Sequence, residues 1–151
     1  QLANNDMISA VLDTNILSSG ALISSTIPRQ ILNQWQDGKF ELILSQHIIN
    51  ELEETLSKPY FRNILKTRDI DDFLDLLLSD ATLTLITAKV RDVATHPEDD
   101  LVLATAESGK ATHIVTGDHG LQNLKHFREI QIVSPRAFTE ILQKEKLRTR
   151  S

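Results

Sequence analysis

Four acidic residues far apart in the chain, Asp13, Glu51, Asp99 and Asp118, occupy positions from which their carboxylates can meet. Asp13 ends the apolar run Ile8-Ser9-Ala10-Val11-Leu12, and Asp118 closes the run His113-Ile114-Val115-Thr116-Gly117. Runs of this length and composition read as buried parallel strands. The residue that leaves such a strand emerges at the carboxyl edge of the sheet, where open α/β folds put their chemistry. Glu51 falls about one and a half helical turns after a third apolar run at 40–44, and Asp99 opens the helical segment Leu101-Val102-Leu103-Ala104. Two carboxylates ~4 Å apart repel by about 4 kcal/mol at an effective dielectric of about 20. Proteins tolerate that by sharing a proton or by binding a hard cation. The constellation therefore points to a Mg²⁺ or Mn²⁺ site. Such an ion takes oxygen ligands, keeps several waters and suits phosphodiester hydrolysis.

Each acid alone has a plainer explanation. The chain holds 21 acids in 151 residues, so an acid at any one position is unremarkable. Asp13 and Asp99 suit helix N-termini, Asp118 suits a turn, and Glu51 could be solvated like its neighbours Glu53 and Glu54. Agreement among four positions, in an order that one fold can use, is what favours the joint reading.

The elements that must carry these residues follow from periodicity. Strand-like runs occur at 8–13, 40–44, 82–87, 113–116 and 129–133. Pro28 and Gly38 frame a helix over 29–37. Ser45 stands where it would cap a helix carrying Ile48, Leu52 and Leu56, which ends before Pro59. A short helix is expected near Ile64 and Leu65, and longer ones over 71–78 and 99–108, the last with Gly109 at its C′ position. Ser134-Pro135 opens a final helix through about Lys144. Strands alternating with helices imply right-handed crossovers and a parallel sheet, here a three-layer α/β domain of about five strands spanning 7–146. Residues 1–6 are expected to lie outside the fold, as a disordered or vector-derived segment, and residues 147–151 to form a basic tail.

Composition narrows the function further. A hydrophobic fraction of 40% and a charged fraction of 25% are ordinary for a globular domain. The absence of cysteine excludes disulfides, thiolate metal sites and cysteine nucleophiles, and fits a reducing cytoplasm. No apolar stretch approaches a membrane span. The net charge of −5 argues against a general nucleic-acid binder, unless bound cations reverse the local field. Aromatic residues at 5% leave little for a base-stacking platform. Substrate grip would then fall to metal-bound phosphates and a few basic residues, for which Arg29, Lys58, Arg62 and Lys66 are candidates, though a solvated face is their plainer reading. The histidines at 47, 96, 113, 119 and 126 lack metal-ligand spacing and read as scaffold or surface residues; His96, just before the third acid, is a lesser candidate to touch substrate.

The run Val11-Leu12-Asp13-Thr14-Asn15-Ile16-Leu17-Ser18-Ser19 resembles the opening of a PIN-domain nuclease. Ser45-Gln46-His47-Ile48-Ile49-Asn50-Glu51-Leu52 resembles the second block of that family, Pro97-Glu98-Asp99-Asp100-Leu101-Val102-Leu103-Ala104 the third, and Ile114-Val115-Thr116-Gly117-Asp118 with Leu121 the fourth. The subgroup most resembled is the bacterial one described as toxin components of toxin–antitoxin pairs. The resemblance implies a sheet in the order 3-2-1-4-5 and Mg²⁺- or Mn²⁺-dependent cleavage of RNA. It also implies a homodimer and a cognate antitoxin. Position by position it implies Asp13, Glu51, Asp99 and Asp118 as the catalytic and metal-binding acids. Asp13 and Asp99 would be the core ligands, while Glu51 and Asp118 complete the ring or orient water. Asn15 and Thr116 would be supporting residues, and Asp100 stands beside Asp99 as a second choice for the third acid.

Two rival functions are distinguishable. A binding module that recognises RNA or a protein without cleaving it would have no need of an intact acidic quartet. An aspartyl-phosphate enzyme needs a nucleophilic Asp in another context, commonly with a nearby lysine, which Asp13-Thr14-Asn15 does not supply.

Overall fold

The structure, a computed structural model, describes residues 7–22 and 26–150, without the side chains of 149 and 150. The expected leader at 1–6 lies outside the described residues. Strand β1 (Ser9–Leu12) is followed directly by helix α1 (Thr14–Ala21), then α2 (Ile27–Gln36), β2 (Glu41–Leu44) and α3 (Gln46–Leu56). A short α4 (Pro59–Arg62) and a long α5 (Thr67–Asp80) lead to β3 (Thr82–Leu83). After a loop come α6 (Pro97–Ser108), β4 (His113–Val115), α7 (His119–Leu124), β5 (His126–Phe127), β6 (Ile130–Val133) and α8 (Pro135–Arg150).

The six strands lie in the order β3-β2-β1-β4-β6-β5. Every neighbouring pair is parallel except β5 with β6, which is antiparallel. The expected 3-2-1-4-5 order thus holds for the parallel strands. A two-residue edge strand, β5, is added by the hairpin at Arg128, whose φ of 55° supplies the positive torsion a tight turn needs. The central strand β1 is buried along its whole length, as a strand covered on both faces must be. Helix α6 packs on β1, β2 and β4, and α8 packs on α2.

Several boundaries differ from those read in the sequence, each for a local reason. β3 stops at Leu83 instead of continuing to 87, because its partner β2 ends at Leu44; Leu85 is 83% exposed. α1, which the periodicity reading had not placed, starts immediately after Asp13, so Thr14 and Asn15 form its first turn. The short helix lies at Pro59–Arg62, ahead of Ile64, because the proline suits a first helical turn. α5 begins at Thr67, four residues early, and α6 at Pro97. Gly109 ends α6 with φ −88°, not left-handed; its missing side chain is a packing requirement, since a Cβ there would stand 2.6 Å from Ile43 Cγ2. α8 continues through Arg150, beyond Lys144, with Glu145 paired to Arg148 one turn on.

Phe138 seals α8 onto the sheet. It is fully buried, meets Phe40 edge-to-face at 5.1 Å between ring centroids, and lies 5.7 Å from the His113 ring. Burial also holds His113 below its ordinary pKa. Phe138→Ala removes this wedge and leaves a cavity, so a loss of about 3–5 kcal/mol is expected in urea unfolding. A loss under ~1 kcal/mol would show that α8 docks independently of the core.

Candidate functional site

Each of the four acids is delivered by a different element. Asp13 follows β1, and its backbone N–H donates to the Val115 carbonyl at 3.2 Å, continuing the β1–β4 ladder by one residue. That extension brings Asp13 beside Thr116, a fully buried residue whose hydroxyl donates to Asp13 Oδ2 at 2.5 Å. The same hydroxyl accepts the Asp118 backbone N–H at 3.0 Å. One oxygen therefore couples the first aspartate to the last. Asp13 Oδ1 also caps α1 by accepting from Ile16 N at 3.1 Å, and Asp118 Oδ2 caps α7 by accepting from Leu121 N at 2.8 Å. For both aspartates the capping role and the site position coexist.

Glu51 reaches the rim from α3, where its Oε1 accepts the Thr14 hydroxyl at 3.0 Å. His47 Nε2 stands 3.5 Å from the same oxygen, a close contact without hydrogen-bond geometry, and this buried nitrogen has no hydrogen-bond partner among the described residues. Asp99 arrives on the first turn of α6. The spacing of α3 and α6 is set by a buried pair, Ser45 Oγ with Thr105 Oγ1 at 2.8 Å. Ser45 stands at the N-cap of α3 as expected, yet its hydroxyl serves this cross-link and makes no cap bond.

Asp13, Glu51, Asp99 and Asp118 line one open pocket of about 300 Å³, together with Asn15. Asp100 does not. It is 7% exposed and accepts three backbone N–H groups, from Asp92 at 3.0 Å, Val93 at 3.3 Å and Ala94 at 2.8 Å. Its carboxylate is committed to the loop that leads into α6, and of the two adjacent aspartates it is Asp99 that lines the pocket. Asn15 supports Asp13 through its backbone N–H, which lowers the Asp13 pKa.

Further residues line the pocket, among them Thr14, Glu54, Lys58 and Glu98, which the sequence reading had left outside the acidic quartet. Thr14 orients Glu51; Glu54 and Glu98 add carboxylates, and Lys58 adds a cation. Gly120 matters differently: a Cβ there would stand 3.0 Å from Asp118 Oδ2, so the glycine makes room for that carboxylate. A sequence signal existed for Gly120, which lies two residues after Asp118; none marked Glu98.

The electrostatics follow from this crowding. Burial raises the Asp13 pKa, with a smaller push from Asp118, while the Thr116 hydroxyl and the Ile16 amide oppose it. Asp99 is raised chiefly by burial and then by the charge of Asp118, with lesser pushes from Asp13 and Glu51; His96 acts in the other direction. Among the described residues no three acids or histidines are drawn together tightly enough to cage an ion directly. Three of the four carboxylates are instead held by hydrogen bonds, Asp13 by Ile16 and Thr116, Glu51 by Thr14, and Asp118 by Leu121. A donor set of carboxylate oxygens spread round an open pocket suits a hard cation that retains water between itself and some ligands.

A family model for the PIN domain matches residues 9–120 of the chain. The chain belongs to the PIN-domain family. No curated protein matches it. Among solved structures it is similar to VapBC2 from Rickettsia felis, bound to a DNA fragment from their promoter. That match has 17% identity and a TM-score of 0.59, and covers 84% of this chain and 98% of the other. It is also similar to FitAcB from Neisseria gonorrhoeae, with 17% identity and a TM-score of 0.55, covering 83% and 97%. At these identities the likeness concerns the fold. PIN domains are generally nucleases and typically use divalent metal ions.

The raised Asp99 pKa carries a stability consequence with a definite sign. In the unfolded chain Asp99 ionises near its ordinary value of 3.8, whereas the folded protein resists that ionisation. The resulting destabilisation is fully present at neutral pH. It is relieved as pH falls through the folded pKa, and is gone below about 4. Asp99→Asn should therefore raise the melting temperature of metal-free protein at pH 7 by about 2 °C, a small effect because the group is partly solvated. The gain should vanish near pH 3.5. A variant less stable than wild type at pH 7 would show that Asp99 is paired, not repelled.

Proposed function

We propose that this PIN domain is a Mg²⁺- or Mn²⁺-dependent endoribonuclease and the toxin component of a toxin–antitoxin pair. The observation that carries the reading is the gathering of carboxylates from β1, α3, α6 and the turn after β4 on one pocket, with Lys58 as the cation among its lining residues. Their mutual repulsion, felt at Asp99, supports occupation by a divalent cation. Such an ion, when bound, supplies an acidified water and neutralises charge on the scissile phosphate.

The chain's own groups then have distinct tasks. Asp13 and Asp99 hold the ion. Thr116 fixes the Asp13 carboxylate in one orientation and ties it to Asp118. Glu51, steadied by Thr14, orients the attacking water, and Asp118 completes the ring. Asn15 supports Asp13 from its backbone. Asp100 positions Asp99 indirectly, by pinning the loop before α6. Among the described residues no helix is long and apolar enough to cross a membrane. We place the protein in the cytoplasm as a homodimer with a small antitoxin as its partner. The pairing named in VapBC2 and FitAcB supports the antitoxin part of that reading.

Asp13→Asn is the sharpest test, because Asn caps a helix about as well as Asp and the fold should persist. Manganese at a hundredfold excess over its dissociation constant should raise the wild-type melting temperature by about 5–10 °C. The variant should show little of that shift, and its cleavage of mixed RNAs should fall more than about a hundredfold. Equal cleavage by variant and wild type would remove the mechanism. RNA binding without cleavage at any Mn²⁺ concentration would favour a non-catalytic binding module that retains the fold.

A further inference from the structure

We propose that residues 58–68, running from the pocket edge over α4 to the start of α5, form a track for a single-stranded nucleic acid. The nuclease reading says why such a strand would be led to the pocket, but binding along the track does not depend on it. The segment carries four of the sixteen basic residues, Lys58, Arg62, Lys66 and Arg68, and none of the twenty-one acids. All four are exposed, and among the described residues none stands in an ion pair. In a chain of net charge −5 this is a local reversal of sign. Lys58 makes the track continuous with the catalytic acids, since it lines the same pocket as Asp13 and Asp99.

An aromatic ring stands within the basic run. Tyr60 is 63% exposed, and its ring meets Phe61 edge-to-face at 5.0 Å and 86°. Phe61 packs against the hydrophobic core, so Tyr60 is braced from below while most of it faces solvent. Cations interleaved with a braced, exposed aromatic are the elements of a stacking-and-phosphate track. The low aromatic content led to the expectation that no base-stacking platform exists; one well-placed ring is enough for one base. The acids of the pocket repel a polyanion, and Glu54 before the track and Asp69 after it add to that. A strand that must reach the pocket therefore needs neighbouring positive charge, which this segment supplies. An acidic protein partner is the rival occupant, for which exposed Ile64 is the main attraction.

The test uses the full chain in EDTA, so that no cleavage occurs, with fluorescence anisotropy on labelled mixed-sequence RNA and DNA 12-mers. Wild type should bind with an affinity that falls with salt at a log–log slope of about −3, the value for four phosphate contacts on a single strand. Tyr60→Ala should weaken binding about tenfold. Arg62→Ser with Lys66→Ser should reduce the slope by about 1.4. Because these side chains are exposed, an unchanged circular-dichroism melt should accompany both changes. Affinity and slope unaltered by both variants, or no binding by wild type, overturns the proposal. So does retention of RNA binding by variants that lose affinity for polyglutamate, which would make the surface a protein site. Cleavage in Mn²⁺ is scored separately, so a bound but uncut strand would sink the nuclease reading and leave the track standing.

Discussion

The parallel pairing of β1 with β4 is the constraint on which the pocket depends. It sets Leu12 opposite Val115, and the ladder runs one bond further to Asp13. Asp13 and Thr116 then leave adjacent strands at the same height and their side chains meet. A slip of one residue would turn every side chain of β1 to the other face and bury Asp13 away from the rim. The register is held by the burial of Ala10, Val11 and Leu12, none of which has measurable exposure. Core packing and site geometry are thus one requirement.

The carboxylates are gathered against their own repulsion, and local bonds offset part of that cost. Asp13 and Asp118 each cap a helix, and Glu51 takes the Thr14 hydroxyl. These bonds hold the acids apart on separate elements while leaving them on one wall. Asp100 shows the opposite solution. It sits next to Asp99 in sequence, but its charge is satisfied by three amides of the preceding loop, so it is removed from the pocket while fixing the start of α6.

Much of this was legible in the order of residues. Strand β1, helix α3 and strand β4 announce themselves by apolar runs and by periods of two or four. Asp13 and Asp118 could be placed at the sheet edge because a residue that ends a buried strand has nowhere else to go. The errors cluster where a partner decides the outcome. β3 was read too long because its end depends on where β2 stops, and β5 was missed because two residues carry no periodicity. Ser45 and Gly109 stand at helix ends as read, but the Ser45 hydroxyl and the missing Gly109 side chain serve contacts with distant elements, at Thr105 and Ile43, which local spacing does not show.

The sequence by itself determined the alternating α/β class, the strand ends that bear acids and the membership of four blocks in one family pattern. Those depend on local periodicity and on short spacings that survive without coordinates. Only the tertiary structure put Asp99 on the pocket wall and Asp100 against the preceding loop, brought Glu54, Glu98 and Lys58 to the pocket, and made room for Asp118 at Gly120. The physical reason is that a side chain's direction, and the amides or hydroxyls free to receive it, are set by neighbours tens of residues away.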